Sequence, residues 1–187
     1  QIINQKVNIT TPVVSITTLK EIKETFETPT VVLDVEYTSG IIGRNILIIK
    51  TEDAAVIANL MMGGDGIVEN HELSEIEISA VQEAMNQMIG SAATSMATMF
   101  SREVNISPPI SKIWSNSEDA LSSEIPDDQA IVRVNFRMTI GNLVDSNIMK
   151  ILPVETAKKI VSIMIGKEDE DSNVSEQNDN PVNNEIL

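Results

Sequence analysis

At 187 residues and 42% hydrophobic content the chain can bury the core of one domain, or of two small similar halves; with 3% aromatic residues that core must be aliphatic and methionine-rich, which argues against a base-stacking platform. A formal net charge of −15 repels nucleic-acid backbones and anionic membrane surfaces, so neither is an expected partner. The chain has no cysteine, which excludes disulfides and thiolate zinc sites and suits a reducing cytosol, and no apolar run is long enough for membrane insertion.

In chain order, "QIINQKVNITTPVVSI" is β-branched and reads as a strand broken or ended near Pro12. "TTLKEIKETF" is a short helix or turn. "TVVLDVEYTSG" and "GRNILIIKTE" are two strands turning at Gly40 to Gly43. "DAAVIANLMMGG" is a helix, with Asp53 as the expected cap and Gly63 or Gly64 as its stop. A longer helix follows, "LSEIEISAVQEAMNQMIGSAATSMATMF". Ser74 and Glu77 have capping-box spacing at its start, and a break or bend is expected near Gly90.

Beyond it, "REVNISPPISKI" is a strand interrupted by two prolines, and residues 114–129 are a polar, acidic loop. "AIVRVNFRMTIG" and "NLVDSNIMKILP" pair as strands, and "VETAKKIVSIMIG" is a helix with a glycine stop. Residues 167–187 are acidic, Asn-rich and poor in apolar groups, the composition of a disordered tail or linker.

The chain repeats itself. "KVNITTPVVSI" matches "EVNISPPISKI" without a gap and sets Pro12 against Pro109. Each is followed by strand, strand, helix and glycine. The second copy opens with the long helix, so duplication predicts a similar helix before Gln1. Two strand-rich halves of this kind suit one sheet with helices over a face.

On a helical wheel with Ser79 at zero, Glu83 lies at about 40°, Asn86 at about −20° and Gly90 at about 20°. Val81, Ala84, Met88, Ala92, Ser95 and Met99 fall roughly opposite, at about 140–220°, and form the expected core stripe. Gly90 leaves a bare patch that another molecule can approach closely. An amide can position a water, because its oxygen accepts one proton while its nitrogen donates elsewhere; a glutamate one turn away can pair with a lysine on a docking partner. Polar residues on the wet side of a helix are ordinary, however, and the wheel alone assigns them no role. Elsewhere, His71 reads as a solvated loop residue and Asp65 as part of a turn. Trp114 reads as packing at a strand end, and Asp119, Glu124, Asp127 and Asp128 as an acidic loop.

The spacing supplies what the wheel lacks. Ser79, three residues, Glu83, two residues, Asn86, then 22 residues to Pro109 resembles the signature of the CheC/CheX/FliY family of bacterial chemotaxis phosphatases. The flanks "EISAVQEAMNQMIGSAATSMATMF" and "KVNITTP" resemble its FliY branch in particular. The resemblance covers residues 1–166 and implies an α/β (α+β), pseudo-symmetric duplicated fold: one CheC-like phosphatase domain of a first half, 1–64, lacking its leading helix, and a second half, 70–166. It implies hydrolysis of the aspartyl phosphate of the response regulator CheY, with Asn86 orienting the attacking water and Glu83 holding the regulator's lysine. Ser79 fills the variable first position with no chemical step, and Pro109 shapes the strand end that supports the helix. Pro12 is the remnant of a first site.

No cofactor is expected on this chain, because the Mg²⁺ belongs to the phosphorylated regulator. The implied setting is the cytoplasmic face of the flagellar motor switch beside FliM and FliG, with the tail leading to a FliN-like domain. Two alternatives stay open: a non-catalytic scaffold of the switch, and a CheC-like adaptation phosphatase without the motor role.

Overall fold

A computed structural model describes residues 5–25 and 29–167. The expected tail therefore lies outside the described residues from 168 onward.

Among the described residues eight strands form one antiparallel sheet. They are β1 (Val7–Ile9), β2 (Val13–Thr18), β3 (Thr30–Ser39), β4 (Gly43–Lys50), β5 (Asn105–Ile106), β6 (Ile110–Trp114), β7 (Ala130–Ile140) and β8 (Val144–Pro153). The helices are α1 (Leu19–Thr25), α2 (Thr51–Met61), α3 (Glu75–Phe100) and α4 (Val154–Met164). The mixed α/β class and the single sheet agree with the sequence. Across the sheet the order is β1-β7-β8-β4-β3-β5, with β2 beside β1 along β7 and β6 beside β5 along β3. Exchanging β1/β2 with β5/β6, β3 with β7, and β4 with β8 reverses this order onto itself. The middle of the sheet, where β4 meets β8 through Leu47 and Lys150, is where the two runs of strands join.

Strand alternation assigns the faces. Val31, Leu33 and Val35 of β3 turn toward α2 and α3, together with Leu47 and Ile49 of β4. Val32, Ile46 and Ile48 turn the other way, where Leu19 and Ile22 of α1 cover them with Leu121 and Ile125 of the 115–129 loop. That loop is polar in sequence, yet these two apolar residues anchor it. Trp114 is buried there, its indole N–H donating to the Asp119 carbonyl at 3.0 Å. Two of the loop's acids are tied down: Glu124 pairs with Arg44, which also reaches Asp34 at 2.9 Å, and Asp127 accepts from Lys23 at 2.7 Å. Gly40 has φ +75°, and a Cβ there would lie 1.8 Å from the Glu103 carbonyl oxygen, so only glycine lets this turn pass the chain entering β5.

Three local expectations are corrected. Asp53 does not cap α2: strand β4 runs directly into the helix at Lys50, no side chain caps it, and Asp53 is buried in its first turn. α3 continues through Gly90 without interruption, because the i→i−4 ladder tolerates a glycine at a modest entropic cost. The core stripe of α3 is also rotated. Val81, Ala84, Met85, Ile89 and Ala93 are the buried positions, whereas Met88 is half-buried, Ala92 and Ser95 are exposed, and Met99 is 67% exposed.

The exposed part of the expected stripe borders a groove. Ala84, Met88 and Ser91 of α3 face Val7 and Ile9 of β1 and Met138 and Ile140 of β7 across an apolar cavity of about 380 Å³. A second cavity of about 180 Å³ continues past Met88 and Ala92 to Phe136, Ile148 and Lys150. Residues bordering this side are more open than their counterparts in the other half. Val7 is 42% exposed against 7% for Val104, and Pro12 is exposed where Pro109 is buried. Val161 of α4 and Ala58 of α2 each stand five residues before a helix-ending glycine; Val161 is 54% exposed and Ala58 fully buried.

Candidate functional site

The site is built on α3, whose start is well defined. Ser74 accepts a hydrogen bond from the Glu77 backbone N–H, and the Glu77 carboxylate accepts from the Ser74 N–H at 2.8 Å. This capping box satisfies two of the donors a helix start leaves orphaned. The Ser74 hydroxyl and N–H together hold the Glu77 carboxyl below its ordinary value of 4.5. Val81, Met85 and Ile89, spaced four apart, then seat the helix on the sheet. Fully burying such side chains contributes about 1.5–3 kcal/mol each.

On the side away from this seat is Glu83, exposed, and on its flank is Asn86, half-buried. Their arrangement is a carboxylate and a carboxamide side by side on a helix anchored from below. Among the described residues no hydrogen bond engages the Asn86 carboxamide, which leaves its oxygen and nitrogen available to an incoming group. Glu83 is engaged on one side: Gln87 Nε2 donates to its Oε1 at 2.5 Å. A carboxylate has two oxygens and about four lone-pair sites, so Oε2 stays open toward solvent. Sequence reading passed over Gln87, although its i,i+4 position from Glu83 was the available signal.

Ser79 is exposed one turn before Glu83 and spends its hydroxyl proton on the Glu75 carbonyl at 2.9 Å. Pro109 is buried between β5 and β6, away from the Glu83–Asn86 pair. Two residues beyond it, Ser111 Oγ donates to Gln82 Oε1 at 2.7 Å, tying β6 to the turn of α3 that carries Glu83. Pro12 stands between β1 and β2, exposed on the far edge of the sheet. The structure thus brings Ser79, Glu83 and Asn86 together on one helix, puts Pro109 in its support and leaves Pro12 remote.

Among the described residues no group of three or more His, Asp or Glu side chains is arranged to hold a metal ion. No helix among them is long and apolar enough to cross a membrane. His71 is exposed, and Asp65 Oδ1 accepts from the Ile67 N–H in a turn.

Residues 76–113, which carry the helix and its supporting strand, match the model of the CheC-like family. The chain is 46% identical over 167 residues to the flagellar motor switch phosphatase FliY of Bacillus subtilis, covering 89% of this chain and 44% of that protein. The chain therefore spans less than half the length of this relative. The crystal structure of Thermotoga maritima FliY is 39% identical and superposes with a TM-score of 0.81, covering 89% of this chain and 86% of that one. The FliM middle domain from H. pylori, 18% identical, shares the fold at a TM-score of 0.62 over 87% of this chain and 85% of its own. With 39% identity over most of a solved FliY chain and the family's motif on α3, this chain belongs to the CheC-like family of chemotaxis proteins, in its FliY branch.

Proposed function

We propose that this chain hydrolyses the aspartyl phosphate of the response regulator CheY at the flagellar motor switch. The observation that carries the proposal is the Glu83–Asn86 pair on α3, an exposed carboxylate beside a half-buried carboxamide that nothing in the described chain engages. The Bacillus relative's name, a flagellar motor switch phosphatase, supports the reaction class.

In this reading α3 docks across the regulator's phosphorylation site. Glu83 pairs through its open oxygen with the regulator's lysine and fixes the register of the helix. Asn86 then places its carboxamide at the phosphoryl group. Its oxygen accepts a hydrogen bond from a water and aims that water in line with the bond to be broken. The water oxygen forms a bond to phosphorus as the bond to the aspartyl oxygen breaks, releasing inorganic phosphate and a free carboxylate. Held geometry is the catalytic contribution, and no covalent intermediate forms on this chain. Ser79 performs no chemical step, and Pro109 shapes the strand that anchors the helix through Ser111. Mg²⁺ held by the regulator's own carboxylates neutralises phosphoryl charge when bound. The place of action is the cytoplasmic face of the switch, with FliM and FliG as neighbours.

The same reading includes a duplicated domain. A helix equivalent to α3, preceding β1 in the full-length protein, would fill the apolar groove beside Met88 and Ala92. It would cover Val7, Ile9 and Val161 as α3 covers their counterparts. It would also carry the other half's site, of which Pro12 is the remnant.

The test is inorganic phosphate release from phosphorylated CheY, with binding measured in parallel, using the full-length protein. Release well above the regulator's own rate is expected. Binding with no acceleration would overturn the phosphatase reading in favour of a non-catalytic scaffold.

A further inference from the structure

The groove between α3 and β1 has apolar walls but a polar floor. Tyr37 of β3, Asn45 of β4 and Lys150 of β8 all turn into its inner end, among Leu47, Met88 and Phe136. Lys150 Nζ lies 3.4 Å from Tyr37 Oη and 6.0 Å from the centre of that ring. Tyr37 and Asn45 are 1% and 2% exposed, and Asn45 Oδ1 has no hydrogen-bond partner. A phenol 3.4 Å away is a weak acceptor for a half-buried ammonium, and desolvation pushes the Lys150 amine below its ordinary value.

These groups break the symmetry between the halves. Four residues before α2 stands Leu47; four residues before α4 stands Lys150. Six before α4 stands Ile148, where the other half has Asn45. On the α3 side, then, the matching positions are apolar, and a helix made to sit over Lys150 cannot be a plain copy of α3.

We infer that the helix filling this groove presents a carboxylate to Lys150, forming a buried ion pair that keys that helix to its own seat. The inference rests on the duplicated-domain reading above and adds the chemistry of the contact. Charge complementarity fixes the occupant's side chain as Asp or Glu: an ammonium enclosed by an apolar helix would lose its charge, whereas a carboxylate keeps it and can also accept from Tyr37 Oη. A buried polar pair of this kind specifies register and partner rather than adding stability over an apolar pair.

The sign of one substitution decides it. In the full-length protein, Lys150→Met lowers the Tm by several degrees if a carboxylate is left buried and unpaired. An unchanged or raised Tm, the result of deleting a lone buried amine, overturns the inference. Should that variant fail to fold, carbodiimide coupling of the unsubstituted full-length protein followed by peptide mapping gives the answer. An amide link between Lys150 and an Asp or Glu of the segment before β1 is expected. No such link, while the exposed Glu155–Lys158 pair at 3.1 Å does couple, overturns it.

A third readout separates the key from the seat. Maleimide labelling of Ile9→Cys in the groove is blocked if a helix sits there. Free labelling means that the seat is empty and both readings fall. Blocked labelling with Lys150→Met tolerated means that the key alone falls. None of these measurements depends on phosphate release.

Discussion

Replacing Gly90 with alanine drives stability and activity in opposite directions. Gly90 lies inside α3 with helical geometry, and a Cβ built on it meets nothing within 4 Å. Alanine therefore introduces no clash within the chain and removes backbone freedom from the unfolded state. The gain is about 0.5–1 kcal/mol, which raises the Tm by roughly 1–4 °C for a domain of this size. The new methyl group projects at about 20° on the helical wheel, between Glu83 and Asn86, into the face where the regulator is proposed to dock. Displacing a docked helix by about 1 Å costs as much as 100-fold in rate, and a methyl that the partner partly accommodates is expected to lower kcat/KM about tenfold, or ~1.4 kcal/mol. Thermal unfolding and phosphate release from phosphorylated CheY, measured on the same full-length variant, check both signs. A more stable Gly90→Ala protein with undiminished phosphate release would refute the docking face, and a less stable one would refute the assignment of Gly90 as an unconstrained helix position.

Other consequences follow from the same geometry. Ser74→Ala removes the capping box and lowers stability by about 1 kcal/mol at neutral pH. Because the folded-state value of Glu77 is depressed, its share of that stability is present above its ordinary 4.5 and is lost as pH falls through the lower folded value. Denaturant unfolding should therefore show the wild-type and Ser74→Ala curves converging in acid. Asp53 has the opposite sign: burial raises its carboxyl above the ordinary 3.8, so its penalty is absent in acid and appears as pH rises through the folded value. Asp53→Asn is expected to stabilise by roughly 1 kcal/mol at pH 7 and by nothing near pH 3, because burial of the charge outweighs what Ser146 and Lys50 return to it. Thermal scans at the two pH values test this, and equal shifts at both would contradict it. Glu83→Lys places like charge against the lysine proposed to pair with it; a rise in KM of tenfold or more with kcat changed less than threefold is expected, the signature of lost docking. Equal kcat/KM to wild type would remove Glu83 from the interface.

Much of the fold was legible because the strands are β-branched apolar runs bounded by turn residues. Val31, Leu33 and Val35 against Val32 is a period-two pattern, and Gly40, Gly63 and Gly166 mark the turns and stops. Asp53 misled because β4 passes into α2 with no loop, which leaves no place for a separate cap. The wheel of α3 was misplaced for a different reason. Met88, Ala92, Ser95 and Met99 carry a genuine small or apolar stripe, but in the described chain this flank borders the groove, and Met85, Ile89 and Ala93 make the seat.

The pair on α3 was readable only as spacing. Periodicity gives Glu83 and Asn86 a side of the helix, and the 22-residue interval to Pro109 singled them out. Lys150 went unnoticed because a lysine in a strand is ordinarily taken to face water. Its inward register with Ile148 and Leu152 was the missed signal. Gln87 was legible as the i,i+4 partner of Glu83, whereas the Ser111–Gln82 tie depends on a side-chain contact that no spacing rule fixes in advance.

The most direct test of the central claim is Asn86→Ala in the full-length protein, with the proposed second site intact and also with the asparagine proposed for that site replaced. Phosphate release and CheY binding are read on the same samples. The account predicts that the doubly substituted protein keeps its unfolding midpoint and binds phosphorylated CheY within about threefold of wild type, while its stimulated release falls at least 100-fold, the scale of a lost water-positioning group. Release that survives both substitutions would contradict it and place the chemistry elsewhere than on α3.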